Sequence, residues 1–164
     1  MIRQVGPRID RVAQGQKLIV DNRRARHDYH LLERFEAGVA LTGTEVKSLR
    51  EGGASLQQAY ADVREGEVFL VGAHIAPYEQ APAGAHDPDR DRKLLLHRKE
   101  IASLIGKVKE KGLTLVPTKL YFRNGRVKLE LALAKGKEQR DKRRDIAKRE
   151  ADRAIERALK TRSR

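Results

Sequence analysis

The stretch Leu113-Thr-Leu-Val-Pro-Thr-Lys-Leu-Tyr-Phe-Arg-Asn-Gly-Arg-Val-Lys-Leu-Glu-Leu-Ala-Leu-Ala134 decides the fold. Two runs of strand-forming residues, 113–122 and 126–134, flank Asn124-Gly125. Asn-Gly tolerates positive φ at both central positions, which a two-residue hairpin turn requires, and its twist suits the flanking strands. In the second run Val127, Leu129, Leu131 and Leu133 alternate with Lys128, Glu130 and Ala132. One face therefore belongs to a core and the other to solvent or a ligand.

Upstream of this hairpin the spacing of Ile101, Leu104, Ile105 and Val108 predicts a helix from His97, closed by Gly112. Residues 77–92 hold three of the five prolines and read as a long exposed loop. Two further strands, 58–64 and 67–75, are joined at Glu65-Gly66. Thr42-Gly-Thr-Glu45 fits a capping box opening a helix of about two turns, with Val46 and Leu49 inward and an end at Gly52-Gly53. Residues 29–35 and 39–42 read as strands about a turn at Glu36-Ala-Gly38, and 17–20 as one more. About six short strands with two inserted helices and no βαβ alternation imply a mainly β fold, a closed antiparallel barrel that presents loops and one strand face to a ligand. The expected division is an arm at 1–15, a β-barrel domain at 16–134 and a basic tail at 135–164.

That tail carries thirteen Lys/Arg against six Asp/Glu, +7 of the chain's +13. With so little apolar surface it should be disordered when free. It nonetheless has a helical pattern, with Ala147, Ala151, Ala154, Ile155, Ala158 and Leu159 on one narrow face beside a ridge of Arg149, Arg153 and Arg157. A pI of about 10.3 points to a polyanion, because spread Lys and Arg gain free energy by displacing counterions from phosphates. No run of eighteen apolar residues exists, so a membrane partner is not expected. The opening residues lack a hydrophobic run of signal-peptide length, and there are no cysteines, which suits a cytoplasmic location.

Catalytic motifs are missing. Gly106-Lys107 and Gly136-Lys137 lack the remainder of a phosphate-binding loop. Asp87-x-Asp89-x-Asp91 begins like a calcium loop but has Arg92 and Arg98 where glycine and glutamate are needed. Neither metal, cofactor, small-molecule substrate nor enzymatic activity is expected. RNA-binding chemistry remains. Asn22-Arg23-Arg24-Ala25-Arg26-His27-Asp28-Tyr29 joins phosphate-seeking arginines to amide, imidazole and phenol groups suited to unpaired bases. An ordinary basic turn fits that composition equally well. Lys47 and Arg50 share one side of the capped helix, and Arg90-Asp-Arg92-Lys93 leads into Leu94-Leu95-Leu96.

In this order the motifs resemble one family, small protein B, the SsrA-binding proteins that partner transfer-messenger RNA (tmRNA) in trans-translation. The matching residues are Asn22 to Tyr29, Phe35-Glu-Ala-Gly38, Gly43-Thr-Glu-Val-Lys-Ser-Leu-Arg50, Phe69-Leu-Val-Gly-Ala73, Arg92-Lys-Leu-Leu-Leu96, Leu120-Tyr121, Gly136-Lys137 and Asp141-Lys142-Arg143. The resemblance implies a closed antiparallel oligonucleotide-binding-like barrel of about six strands with two or three flanking helices, which grips the tRNA-like domain of tmRNA through Asn22, His27, Tyr29, Glu36, Leu95 and Lys128. Arg23, Arg24, Arg26, Lys47, Arg50, Arg92 and Lys93 are added to this set by their charge and position. It also implies that the tail, disordered when free, becomes helical in the empty mRNA channel of a stalled ribosome, with Asp141-Lys142-Arg143 near the decoding centre. Arg140 stands where a ring-bearing residue is common in the family. The competing reading is a ribosomal or ribosome-assembly protein that binds rRNA.

Overall fold

The computed structural model describes residues 15–109 and 113–162. Residues 1–14 of the expected arm at 1–15, and Gly112, lie outside the described residues. In chain order the elements are β1 (Gln16–Asp21), α1 (Arg23–Asp28), β2 (Tyr29–Val39), α2 (Gly43–Arg50), β3 (Ala54–Ser55), β4 (Tyr60–Arg64), β5 (Glu67–Val71), β6 (His74–Ile75), β7 (Arg92–Leu95), α3 (Arg98–Val108), β8 (Leu113–Arg123), β9 (Arg126–Gly136) and α4 (Gln139–Arg162). Among the described residues the fold is mainly β, a seven-stranded antiparallel sheet with four helices and a two-stranded β3–β6 ribbon.

The hairpin at Asn124-Gly125 forms as its sequence dictates, with φ of 51° and 76° at the two turn residues. Such a turn fixes the register by symmetry. Arg123 pairs with Arg126, Phe122 with Val127 and Tyr121 with Lys128, until a bulge between Pro117 and Lys119 shifts the count. The sheet order is β1-β8-β4-β5-β7-β2-β9, and β9 also pairs along β8. Leu49, Leu56, Val68, Leu94, Leu104, Leu115, Leu129 and Leu131 fill the main core. Truncating one of these leucines to alanine costs about 2–5 kcal/mol.

Several elements depart from expectation. Residues 29–39 form one unbroken strand, so Glu36 lies mid-strand instead of at a hairpin tip. Glu36, Ala37 and Gly38 pair with Glu130, Leu129 and Lys128 of β9, and Gly38 pairs also with Leu95 of β7. Pairing on both edges overrides the turn-like Ala-Gly composition. The expected strand 67–75 breaks at Gly72, whose φ is 76° and where a Cβ would lie 2.6 Å from the Gln58 carbonyl oxygen. The loop ends before Arg92, which opens β7. Ala132 and Ala134, on the nominally polar face of β9, are buried with Ala25 and Val116 beneath Tyr29 and Leu31. What covers them is α1, a helix where only a basic segment had been legible.

The capped helix α2 is as expected, Glu45 accepting from the Thr42 amide at 3.3 Å. Glu45 does more than cap, for its side chain is 0% exposed and so is that of Arg92. Arg90 donates to it from Nε (2.5 Å) and Nη2 (2.9 Å), while Arg92 Nε lies 3.4 Å away. Arg92 spends its other donors on the carbonyls of Ala73, Asp87, Pro88 and Arg90, at 3.1–3.2 Å. This knot ties the 77–92 loop and β7 to α2.

Candidate nucleic-acid interface

A row of residues crosses four adjacent strands. Leu95 of β7 pairs with Gly38 of β2, Gly38 with Lys128 of β9, and Lys128 with Tyr121 of β8. A Cβ at Gly38 would stand 3.2 Å from the Leu95 Cβ, so glycine lets Leu95 lie across β2. Leu95 is left 54% exposed, a large apolar side chain facing water. Lys128 makes no hydrogen bond or ion pair among the described residues. Glu36, Gly38, Lys93, Leu95 and Lys128 line one open cleft of about 780 Å³, completed by the β4–β5 turn and the start of α3.

Glu36 in this cleft is restrained, not free. The Tyr121 hydroxyl donates to Glu36 Oε2 (2.5 Å), and Arg123 Nη1 donates to both carboxylate oxygens (2.9 and 3.0 Å). Tyr121's hydrogen bond holds the carboxyl below its ordinary value; burial opposes this, and Arg123 and Lys128 reinforce it. Conversely burial, followed by the Glu36 contact, pushes the Tyr121 phenol well above its ordinary value, so it stays a donor. Tyr121 and Arg123 were not among the expected site residues. The mirror register of the Asn124-Gly125 turn, which sets Tyr121 opposite Lys128, is the signal that could have found Tyr121.

The residues of α1 stand apart from that cleft. Asn22 is buried as the N-cap, accepting from Ala25 N–H (3.3 Å) and donating to the carbonyls of Leu56 (3.1 Å) and Pro117 (2.8 Å). It therefore anchors α1 and presents no free amide. Arg24 pairs with Asp28 at 3.4 Å, Arg26 with Asp21, and His27 Nδ1 lies 2.9 Å from Asp28. Arg23 is exposed and makes no ion pair among the described residues. Lys47 and Arg50 lie exposed on α2, Lys47 5.8 Å from the Tyr78 ring centroid. Lys93 is exposed but paired with Glu67 at 2.8 Å. Arg92, expected among the outward cations, is inside the Glu45 knot, with no donor facing solvent.

The tail leaves from α1. Lys137 N–H donates to the Asp28 carbonyl (2.9 Å), and its Nζ, on a side chain only 7% exposed, donates to the Arg26 carbonyl (3.1 Å) and contacts Asp145. Lys142 sits 3.3 Å from Asp28, and His30 3.3 Å from Asp141. The His27 hydrogen bond, then Lys142 and Arg24, hold Asp28 below its ordinary value against the opposing effect of burial. Farther out α4 buries nothing, and Arg140, Arg143, Arg149, Arg153 and Arg157 are all exposed. Asp87, Asp89 and Asp91 do not converge: Asp89 faces His74 (2.8 Å) and Asp91 faces Arg64 (2.8 Å). Among the described residues no helix is long and apolar enough to cross a membrane.

An antiparallel sheet that gathers a lysine, a bare leucine and a restrained carboxylate in one cleft, and that projects a cationic helix, has the layout of sheet-based nucleic-acid binders. The family model described as SmpB protein matches residues 19–161, and the chain belongs to that family. It is 59% identical over 148 residues to the SsrA-binding protein of Pelotomaculum thermopropionicum, covering 90% of this chain and 97% of the relative. The SsrA-binding protein of Thermobifida fusca is 59% identical over 149 residues, covering 91% and 93%. A solved chain described as "tmRNA-SmpB: a journey to the center of the bacterial ribosome" is 53% identical, with a TM-score of 0.62 over 73% of this chain and 85% of that one.

Proposed function

We propose that this protein binds the tRNA-like domain of tmRNA and delivers it to stalled ribosomes for trans-translation, in the cytoplasm and without catalysis of its own. The observation that carries the reading is family membership over almost the whole chain, together with the likeness to a chain from tmRNA-SmpB. On this reading the sheet is a closed oligonucleotide-binding-like barrel. The unbroken circuit of paired strands β8-β4-β5-β7-β2-β9 and back to β8 supports that description. The cleft of Glu36, Leu95 and Lys128 takes RNA by apolar cover of a base or sugar, one phosphate contact, and a carboxylate whose office is to hold Arg123. His27, Tyr29, Arg23, Arg24 and Arg26 extend the RNA surface along α1, with Lys47 and Arg50 as outlying cations and Lys93 in the cleft itself, matched by Glu67. Asn22 and Arg92 act from behind it.

The division of labour is between residues 16–134, which hold tmRNA, and 135–164, which engage the small subunit's empty mRNA channel through Gly136, Lys137, Arg140 and Asp141-Lys142-Arg143, with Arg149, Arg153 and Arg157 meeting its phosphate walls. A 24-residue helix reaches about 36 Å. Pull-down of the intact protein followed by RNA sequencing should return one dominant tmRNA species; a spread of rRNA fragments instead would support a ribosomal role. A chain cut at Gly136 should retain tmRNA binding and lose peptide tagging. Loss of tmRNA binding in that variant would overturn the division.

A further inference from the structure

A second cleft, of about 240 Å³, opens between α1 and the residues that lead from β3 into β4, and shares no lining residue with the cleft of Leu95 and Lys128. Tyr29, Tyr60, Gln57, Gln58, Arg24 and Asp28 line it. Tyr60 is 46% exposed, although most aromatic rings of its size are covered. The hydroxyls of Tyr29 and Tyr60 and the side-chain amides of Gln57 and Gln58 make no hydrogen bond among the described residues. Arg24 is already matched by Asp28 at 3.4 Å, so the cleft's charges cancel.

The walls are held in place before any ligand arrives. Asn22 ties the start of α1 to the Leu56 carbonyl, directly before Gln57, and to Pro117. The Ala59 amide closes back on Leu56 at 3.0 Å. From behind, the backbone at Gly72 approaches so closely that a Cβ there would reach within 2.6 Å of the Gln58 carbonyl oxygen. A preformed cleft of this size is smaller than the roughly 300–1,000 Å³ of drug-sized sites. It suits one planar ring system.

We propose that this cleft binds a single unstacked nucleobase of an RNA, its face on the Tyr60 ring and its edge against Gln57 and Gln58. An isolated phosphate is a poorer occupant, since the one arginine present is neutralised. An apolar side chain would leave two amides without partners. Amides present a donor and an acceptor together, which is what a base edge requires, and phenol rings stack on any base. The inference rests on the reading of this chain as an RNA partner at the ribosome. The base comes from tmRNA or from rRNA, and both offer the same chemistry.

The test uses the full chain with a benzophenone amino acid in place of Gln57, photolysed with tmRNA alone and with tmRNA on stalled ribosomes, and cross-links mapped by reverse transcription. One unpaired nucleotide should be captured, in the first arm if the base is tmRNA's and only in the second if it is ribosomal. For that RNA, Tyr60→Ala should lower affinity roughly 5- to 150-fold and Tyr60→Phe should not. The salt dependence of binding should keep its slope, because no phosphate contact is lost. If Tyr60→Ala proves unfolded by its melting curve, the exposed pair Gln57→Ala with Gln58→Ala serves instead, with weakened binding again expected. Absent or scattered cross-links in both arms, or folded variants that bind as the parent does, overturn the proposal. Failure of the unaltered chain to bind tmRNA would instead sink the proposed function, while the ribosome arm still decides about the cleft.

Discussion

Glu45 shows how far one residue's role depends on what surrounds it. In sequence it completes a capping box; in the fold its carboxylate contacts both Arg90 and the fully buried Arg92, with Asp87 acting on the two from farther off. Removing its charge leaves Arg92 buried without a contacting carboxylate, and breaking such a pair costs about 3–5 kcal/mol. Glu45→Gln should lower unfolding free energy by about that amount in urea melts at neutral pH. The pH dependence has a fixed sign. Burial pushes the Glu45 carboxyl up, but Arg90, Arg92 and the Thr42 amide outweigh it, so the folded-state value is depressed below its ordinary 4.5. The unfolded chain therefore binds the proton more readily. The stabilisation is fully present above the ordinary glutamate range and fades as pH falls through the folded value, so parent and variant should converge as melts move from about pH 7 to about pH 3. Lys128 is the contrasting case, a cation in a cleft with no ion pair among the described residues. Lys128→Ala should leave stability within about 0.5 kcal/mol. It should weaken tmRNA binding while reducing the salt slope by about one phosphate's worth, read from filter-binding titrations at several salt concentrations.

The joint between α1 and α4 is where the sheet domain can orient its tail. Lys137 is its pin, with its backbone on Asp28, its ammonium on the Arg26 carbonyl and Asp145, and Lys142 closing on Asp28 one helical turn later. Lys137→Met keeps the stem that fills this space but removes the donor. Faster amide hydrogen exchange is expected in residues 139–146, with unchanged exchange in β8 and β9, and peptide tagging should fall while tmRNA affinity holds. Equal exchange in both chains would show that the pin does not hold the helix. Legibility followed the range of each element's causes. The Asn124-Gly125 hairpin, the Thr42–Glu45 cap and α3 were readable because their signals lie within a few residues. The helix α1 was not, since it has no apolar periodicity and is capped by an Asn22 whose other bonds reach Leu56 and Pro117. The continuity of β2 was hidden for the same reason: Ala37-Gly38 reads as a turn until β7 and β9 pair on either side. Of the cleft's residues, Lys128 stood out by alternation along its strand, and Leu95 only through the family resemblance. Arg92 looked like a surface cation because nothing local reveals that Glu45, 47 positions away, would be buried against it.

At the scale of the whole molecule, formal charge overstates what the sheet domain can offer to phosphate. Residues 1–134 carry 23 Lys/Arg against 17 Asp/Glu. Arg24, Arg26, Arg34, Arg64, Arg90, Arg92, Lys93, Lys107 and Arg123 are each engaged by a carboxylate of the same chain. Such pairs give shape and register to the surface, yet a cation already matched releases fewer counterions when RNA arrives. The tail is the opposite, a 24-residue helix with no buried residue and most of its arginines open to solvent. Two salt dependences should therefore separate. About 6–10 phosphate contacts cost roughly 10³–10⁵ in affinity between 50 and 200 mM salt. For tmRNA alone, the intact chain and the chain cut at Gly136 should show the same slope, since on the proposed division of labour the tail's phosphate contacts are made on the ribosome. On stalled ribosomes carrying tmRNA the intact chain should be steeper, by about 0.7–0.9 for each tail cation that meets a phosphate. Equal slopes on the ribosome would mean that the helix does not run along RNA there, and a steeper intact chain on tmRNA alone would mean that the tail belongs to the tmRNA grip after all.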